Sequence, residues 1–590
     1  MKRYLVSALL CLSCFSGFSQ VIKVTTDTIE PQSISIIPED IAGNWFRTDG
    51  SGDWAYGFHD QVAICDGEVY DVTGVAQFNR RYRVQIRKED QEKTLFIKLV
   101  VKGNLKIGTD SGKTELFSPK PVVKPDYVMP DDVEFQSPVL KRDTTIIRGY
   151  LKGYQPDPEN KDQVLVSNTF LGNTTALPLK VATSGVFEVK IPMNYPQEVT
   201  LVVTGRYRQV FLEPGRSEFL FWDLSGSKPG FANRQKLLFM GDCARINTDL
   251  QAISGIHLMN LNELFGQAKK MTRVEFKDWC LAIMNREVDS LNSFAQAHPV
   301  CRKALQIRRL AGLYQTYDYI FGYDEARKTV IEIVAKDTAK VTDQPGPDFY
   351  SFLQADALND QVSLVAGEDF GMIPMSINKI LSTGLVSDIS FSQMMAPILT
   401  YEGRPFSAAE IDSIRSGISE PFIVETLMIE NKRLEEKAAE EAKIPDSTRS
   451  YIPKLPEVGV DQLFEAIIGQ YPGRVIFVDF WATWCGPCKA GIRRMKSLKR
   501  EYAGKDIVFI YITDPSSPLE TWNQMIPDIK GYHYRLNKEQ YQPISKRINI
   551  KTIPRYVLID KTGKLINDNL GAKAYDNDEL RKVLDEALSK

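Results

Sequence analysis

The sequence predicts a multidomain α+β protein, with β-domains at the N-terminal end, a helical middle region and a C-terminal α/β domain. Three observations predict this class. A chain of 590 residues has room for about four domains. Short apolar runs separated by Gly, Asp and Pro fill the first 225 residues, which is typical of strands. Helical apolar spacing follows, and last comes an apolar run that leads into a Cys-x-x-Cys turn.

Composition excludes several classes of protein. Hydrophobic residues make up 43% and charged residues 25%, as in folded soluble domains rather than disordered or collagen-like chains. The net charge of −2, from 73 basic and 75 acidic residues, gives no long-range field for polyanions, so we expect no nucleic-acid partner. Eight cysteines are too few for a disulfide scaffold of this length.

The first nineteen residues predict a signal peptide. Residues 2–3 are basic, residues 4–15 are apolar but much shorter than the ~20 residues of a membrane-spanning helix, and residues 17–19 suit cleavage. The alternative is lipid attachment at Cys14, against which Cys11 stands where an aliphatic residue is expected. We therefore expect a periplasmic or cell-envelope protein, in a compartment where disulfides persist.

Two β-domains are expected next along the chain. Residues 20–120 predict an N-terminal β-domain, and its Gly43-x-Trp45 start resembles lipocalin-like barrels. The favoured interpretation of Trp45 is a core tryptophan in a small β-domain. After a Pro-rich connection, apolar strand-like runs predict a β-sandwich over residues 140–225, in which nothing suggests catalysis.

The middle of the chain predicts a helical domain over residues 231–445. Its last stretch, residues 430–443, is mostly charged and is expected to be a solvated helix that stops before Pro445. Residues 447–456 predict a linker, and a C-terminal domain is expected over residues 456–590.

The C-terminal domain carries the residues suited to catalysis. An apolar run leads into Cys485-Gly486-Pro487-Cys488 and then into a helix. Free N–H groups and the helix dipole would favour a thiolate at Cys485, which is the species that attacks a substrate disulfide. Cys488 lies one turn later and can attack the resulting mixed disulfide. Pro487 suits the first helical turn, where a missing N–H loses no partner.

Asp479 lies inside the apolar run, six residues before Cys485. A buried carboxyl there would have a raised pKa and could exchange a proton with Cys488; the alternative is a structural cap or ion pair. A zinc site is not expected, because there is no second cysteine pair and no nearby histidine. Ala482 stands where a peroxiredoxin needs Thr or Ser, so we predict neither a metal nor an organic cofactor.

Two landmarks carry a family resemblance. Residues 474–489 closely resemble thioredoxins, and residues 553–564 resemble the strand that follows the family's cis-proline. Together they resemble the TlpA-like branch of secreted thioredoxin-fold proteins. The resemblance implies a thioredoxin fold, with Trp484 packed beside the cysteines and with Ile553 and a cis Pro554 presenting backbone to the substrate.

The sequence also departs from small thioredoxins. Residues 513–554 are too long for one helix and include the strand-like residues 532–536, which resembles the inserted αβ element of TlpA-like proteins. Arg555 follows the proline where threonine is usual, so the groove could prefer an acidic or carbonyl-rich partner.

The direction of the reaction is expected to be reduction. No cation lies between the cysteines, and an ionised Asp479 would disfavour a thiolate, whereas strong oxidants stabilise one. The basic residues of the following helix oppose this argument but are expected to be solvated: Lys489, Arg493, Arg494, Lys496, Lys499 and Arg500. The expected partners are a disulfide-bonded protein substrate and a membrane-bound thiol electron donor. The alternatives are a disulfide oxidase or isomerase, or an envelope scaffold protein with an accessory redox domain.

Four further cysteines remain in the mature chain: Cys65, Cys243, Cys280 and Cys301. A Cys280–Cys301 bridge between two helices that reverse near residues 298–299 would need positions mismatched by roughly 24 Å to meet. We therefore expect all four to be buried free thiols.

Overall fold

The computed structural model describes residues 37–100, 103–157, 161–225, 237–256, 261–328, 345–378, 380–400, 404–442, 450–571, 574 and 576–590. The signal peptide, the alternative lipid site at Cys14 and part of the linker lie outside these residues. The chain divides into two compact units, one up to Val123 and one over Lys124–Lys590. Among the described residues, no helix combines the length and the apolarity that crossing a membrane requires. The multidomain α+β class is confirmed.

The first unit contains a closed barrel of eight strands, each paired with its neighbours in sequence and the first with the last. Alternate residues point inward, so that Tyr82, Val84 and Ile86 of one strand are buried between exposed neighbours. Trp45 is a core residue, which was the favoured interpretation of its sequence. It lies in a barrel, the architecture that the Gly43-x-Trp45 start resembled. The strands are β1 (Gly43–Arg47), β2 (Trp54–His59), β3 (Val62–Cys65), β4 (Glu68–Phe78), β5 (Arg81–Lys88), β6 (Gln91–Leu99), β7 (Leu105–Asp110) and β8 (Lys113–Ser118).

The second unit begins with a β-sandwich of two four-stranded sheets, ordered β11-β10-β13-β14 and β12-β9-β15-β16. The strands are β9 (Asp143–Lys152), β10 (Gln163–Asn168), β11 (Asn173–Pro178), β12 (Val186–Met193), β13 (Gln197–Val203), β14 (Arg206–Leu212), β15 (Ser217–Asp223) and β16 (Leu238–Gly241). Residues of both sheets, such as Ile147, Val164 and Leu201, share one hydrophobic core. The predicted end at residue 225 is wrong, because β16 pairs with β15 where a helical start was expected.

Eleven α-helices follow in the described part of the middle region: α1 (Ala244–Ile253), α2 (Leu261–Lys270), α3 (Arg273–Ala297), α4 (Arg302–Phe321), α5 (Tyr323–Lys328), α6 (Ala355–Leu358), α7 (Glu368–Gly371), α8 (Ile373–Ile377), α9 (Leu385–Thr400), α10 (Ala408–Gly417) and α11 (Pro421–Ala442). Their main core also takes in Phe170, Tyr195 and Phe211 of the sandwich region. Residues 430–443 were expected to be a solvated helix. This prediction is wrong in the first turns of the segment, because Leu434 is buried in that core.

The C-terminal sheet has six strands in the order β17-β20-β19-β18-β21-β22. They are β17 (Ser450–Tyr451), β18 (Val475–Phe480), β19 (Ile507–Thr513), β20 (Gly531–Arg535), β21 (Arg555–Ile559) and β22 (Leu565–Asn567), with helices α12 (Leu463–Ile468), α13 (Gly486–Glu501), α14 (Leu519–Met525), α15 (Lys538–Arg547) and α16 (Asn577–Ser589). The first four strands of that order are parallel, and the last two run antiparallel to their neighbours. The predicted linker is therefore partly wrong, since β17 within it belongs to the sheet.

Candidate active site

The two cysteines of the motif lie at the start of α13, directly after the fully buried strand β18. They form a disulfide with their Cα atoms 5.3 Å apart. Cys485 is the N-cap of the helix, and its sulfur accepts the backbone N–H of Cys488 at 3.1 Å. Cys485 is 4% exposed and Cys488 is fully enclosed, so a partner reaches the sulfur of Cys485 first. Gly486 and Pro487 form the first turn, as expected from the sequence.

Asp479 lies beneath this turn in β18. Its neighbours two residues away, Phe477 and Trp481, pack in the same cluster as both cysteines, and the two-residue period of a strand directs Asp479 to that face. Its carboxyl is fully buried, and neither oxygen has a hydrogen-bond partner among the described residues. Burial raises its pKa well above the usual range, while Lys499 and Arg494 pull the pKa of the carboxyl back. Asp479 is thus buried, as the sequence predicted.

Two cations that the sequence placed in solvent are held by groups within the chain instead. The ammonium nitrogen of Lys499 donates to the hydroxyl of Tyr511 at 3.0 Å and lies 4.8 Å from the centre of that ring. Arg494 donates to the carbonyl of Ala574 at 2.6 Å. The prediction of a solvated basic face on α13 is wrong at both positions, because the helix turns this edge toward the sheet.

Trp484 and the loop after β19 form the exposed rim beside the disulfide. Trp484 is 62% exposed, and its indole N–H donates to the hydroxyl of Ser516 at 3.0 Å. The neighbouring Ser517 accepts the backbone N–H of Thr483 at 3.0 Å. These bonds fix the backbone just before Cys485 against the loop.

Ile553 and Pro554 are joined by a cis peptide bond, as the resemblance implied. Ile553 packs against the hydrophobic cluster that contains both cysteines, so this segment borders the same site. Both residues are partly exposed.

Arg555 does not face an acidic partner in the groove. Its guanidinium donates to the carbonyl of Ile548 at 2.9 Å and lies 3.8 Å from Asp568, and the side chain is 14% exposed. These contacts within the chain count against the suggested preference for an acidic or carbonyl-rich substrate, which stays a prediction.

The four cysteines outside the motif are free and buried: Cys65, Cys243, Cys280 and Cys301. Burial raises the pKa of the Cys280 thiol to about 12, so it carries no thiolate at neutral pH. No group of three or more His, Cys, Asp or Glu that could hold a metal occurs in the described ranges.

Sequence reasoning missed three residues around Asp479, namely Lys499, Tyr511 and His533. The sequence spacing could have indicated that Lys499 is enclosed. Cys488, Ile492 and Met495 form the buried face of α13, and position 499 continues the same spacing of four, three and four residues. Tyr511 had none, because only strand register reveals that it lies opposite Asp479.

A central mixed sheet with four parallel strands, a Cys-x-x-Cys pair at a helix N-terminus and a cis-proline segment beside it define a thioredoxin-like domain. Residues 473–565 match the family model described as thioredoxin-like. Residues 473–565 are thus similar to thioredoxin-like domains in sequence as well as in fold.

Curated relatives match the same end of the chain. Thioredoxin M-type from Spinacia oleracea is 32% identical over 111 residues, which is 18% of this chain and 47% of that protein. The thiol-disulfide oxidoreductase ResA from Bacillus thuringiensis is 26% identical over 113 residues, which is 19% of this chain and 64% of that protein. The chain thus spans about half to just under two thirds of the length of these relatives.

Solved structures resemble the same region. A thiol-disulfide oxidoreductase from Bacteroides fragilis is 22% identical, covers 19% of this chain and 83% of its own, and has a TM-score of 0.16. A thiol:disulfide interchange protein of the thioredoxin family from Chlorobium tepidum is 22% identical, covers 24% of this chain and 99% of its own, and has a TM-score of 0.19.

Proposed function

We propose that this protein is an extracytoplasmic thiol-disulfide oxidoreductase that reduces disulfides of other proteins. The observation that carries the proposal is the Cys485–Cys488 disulfide at the start of α13, with the more accessible sulfur on Cys485. The secreted location rests on the signal-like residues 1–19. The substrate is a disulfide-bonded protein, and a membrane-bound thiol protein would return the dithiol form.

The geometry supports a two-step exchange from the reduced pair. The Cys485 thiolate attacks one sulfur of the substrate disulfide, and the other substrate sulfur leaves as a thiolate that takes a proton from water. Cys488 then loses its proton to Asp479 and attacks Cys485. The mixed disulfide breaks, the second substrate sulfur leaves, and the intramolecular disulfide seen here forms. Two electrons pass from the cysteine pair to the substrate.

Surrounding residues support binding rather than electron transfer. Exposed Trp484 offers an apolar contact for a substrate chain, and its bond to Ser516 holds the indole in one orientation. Ile553 and Pro554 are partly exposed, and their backbone would hydrogen-bond an extended peptide next to Cys485. We assign these three residues to substrate binding and the two cysteines with Asp479 to catalysis.

Insulin reduction tests the proposal on the full chain. With dithiothreitol as electron donor, the wild type should accelerate precipitation of the insulin chains, and Cys485→Ala should fall to the uncatalysed rate, because the attacking thiolate is gone. The matched control Cys280→Ala removes a buried thiol outside the site and should retain the wild-type rate.

Equal rates for Cys485→Ala and wild type would contradict the proposal and favour an envelope scaffold with an accessory domain. The direction is tested by equilibrating the pair with glutathione. A reductase requires a potential near that of thioredoxin, about −270 mV, whereas a value near −120 mV would point to an oxidase.

A further inference from the structure

The C-terminal domain has a cavity of about 430 Å³ at the end of the sheet opposite the disulfide. Its walls include residues at which β18, β19 and β20 begin, namely Arg474, Val508 and Tyr532. The reactive pair follows the other end of β18, and six residues at ~3.3 Å each separate the two ends of that strand by roughly 20 Å. The thiol exchange proposed above therefore makes no use of this cavity.

Aromatic and apolar surfaces line most of the cavity. The rings of Tyr471 and Tyr532 meet with their centres 4.6 Å apart and their planes at 59°. Pro453, Pro472 and Val508 add to the apolar lining. The volume falls within the range of small-molecule sites, about 300–1,000 Å³, and such sites are likewise lined by aromatic and apolar side chains with a few polar groups.

The polar groups of the aromatic wall are paired within the chain. The hydroxyl oxygens of Tyr471 and Tyr534 lie 2.8 Å apart, and the Tyr534 hydroxyl donates to the side-chain carbonyl of Gln470 at 2.6 Å. The amide nitrogen of Gln470 donates to the backbone carbonyl of Lys454 at 3.3 Å. These bonds fix the orientation of the Tyr471 ring, so this wall offers a ligand the surface of a ring rather than a hydroxyl group.

Among the described residues, Arg474 is the one cation that lines the cavity. It lies in the turn before β18, and it is exposed. Within the part of the chain that the structure describes, its guanidinium has no ion pair and no hydrogen bond. A planar guanidinium can bind a carboxylate through two parallel N–H bonds. The cavity thus combines apolar walls with a single group that suits an anion.

We propose that this cavity binds an aromatic carboxylate: the ring packs against Tyr471, Tyr532 and the two prolines, and the carboxylate pairs with Arg474. The chemistry required is an aromatic ring within two carbons of a carboxylate, which free aryl acids and the C-terminal phenylalanine of a peptide both supply. The inference does not depend on the proposed redox function. Arg474→Gln should therefore retain wild-type insulin reduction while it loses affinity for the ligand.

A ligand in this cavity would also strengthen the attachment of β17 to the sheet. Tyr532, which forms one wall, is the ladder partner of Tyr451 in β17, and Pro453, which forms another, lies two residues after that strand. Release of β17 would carry Pro453 away and open the site. Binding therefore stabilises the paired state by mass action, and a ligand at ten times its dissociation constant should slow exchange of the β17 amides about tenfold.

Phenylacetate and the full-length protein test the proposal. Saturation-transfer NMR titration should give a dissociation constant of about 1 mM, as expected for a ligand of about ten non-hydrogen atoms. At ~10 mM phenylacetate, mass spectrometry should show about tenfold slower hydrogen exchange in β17. Arg474→Gln should weaken phenylacetate about tenfold and leave the weaker binding of 2-phenylethanol, which has no carboxylate, unchanged. The matched control Arg415→Gln removes an exposed arginine of α10 and should retain wild-type affinity.

A second variant and a second probe complete the test. Tyr532→Leu retains an apolar side chain but no ring, and it should weaken phenylacetate and 2-phenylethanol alike. Gly-Gly-Phe with a free C-terminus separates the two sources: tighter binding than phenylacetate would identify a chain terminus, and weaker binding a free acid. Absence of binding by both acids, equal affinity of wild type and Arg474→Gln, or unslowed β17 exchange at saturation would overturn the inference.

Discussion

Asp479 is a carboxyl group placed within six consecutive buried residues of a strand. Because its pKa is raised in the folded chain, the folded state holds a proton that the unfolded state releases above pH ~4. Folding stability contributed by this protonated group is therefore present at low pH. It declines as the pH rises from the unfolded value toward the folded one.

Asp479→Asn should accordingly stabilise the C-terminal domain more at pH 8 than at pH 4.5, because the amide carries no titratable proton. Hydrogen exchange of β18 amides in the full chain, corrected for intrinsic rates, measures the local opening free energy at each pH. A stability change of equal size at both pH values would contradict the assignment.

At the residue scale, the Cys-x-x-Cys motif made the reactive pair predictable. Asp479 was predictable as well, because it is a carboxyl group inside the apolar strand that leads into the motif. The enclosed position of Lys499 was not predictable in the same way. The hydrogen bonds of Lys499 connect it to residues 12 and 31 positions away. Such contacts depend on which strands become neighbours, and local spacing does not contain that information. Arg555 shows the opposite. The sequence suggested that its guanidinium could contact a substrate, whereas in the structure the guanidinium contacts Ile548 and Asp568 of the same chain.

At the scale of elements, α13 combines a reactive start with a tightly packed face. Gly491 is buried one turn after Cys488, and a Cβ at this position would overlap the hydroxyl of Tyr556 in β21. Tyr556 is in turn the ladder partner of Asp479. The absence of a side chain at position 491 thus lets the helix lie close over the site.

Gly491→Ala should therefore destabilise the C-terminal domain by about 1–3 kcal/mol, as overpacking does, despite the better helix propensity of alanine. The readout is again hydrogen exchange of β18 and α13 in the full chain. Gly486→Ala is the matched control on the same helix, where an added Cβ meets no atom within 4 Å. Equal effects of the two substitutions would show that the close approach at Tyr556 is unimportant.

The elements that sequence reasoning missed are the short ones. β16 has four residues and β17 has two, which is too little for a period to be visible. Each is defined by its partner instead, β15 for the first and β20 for the second. The long strands and helices of the C-terminal domain were predictable, because their apolar runs and the motif fix both type and order.

At the scale of the whole chain, the second unit contains separate cores. The sandwich region and the helices share one cluster, whereas the two clusters of the C-terminal domain draw only on residues from 455 onward. Asn247 of α1 ties sandwich to helices: its amide accepts the N–H of Phe211 at 2.7 Å and donates to the carbonyl of the same residue at 2.9 Å.

Asn247→Ala should destabilise the sandwich and helical region by about 2–4 kcal/mol, because both backbone groups of Phe211 lose a buried partner. Calorimetry should show one transition moved to lower temperature, while insulin reduction at 25 °C is retained because the redox domain has its own core. Asn292→Ala, which loses a single bond from Arg309, is the control and should cost about 1 kcal/mol or less. A parallel loss of reduction would contradict the independence of the cores.

The two-residue strand β17 also determines how exposed the C-terminal sheet is to other chains. Ser450 and Tyr451 pair with Gly531 and Tyr532 along β20, which would otherwise offer unpaired backbone groups to solvent. An uncovered edge of this kind is a template for strand addition by a second molecule. The stretch that enters from the helical region thereby protects the sheet against self-association, and proteolytic cleavage just after Tyr451 would open a route to edge-to-edge dimers.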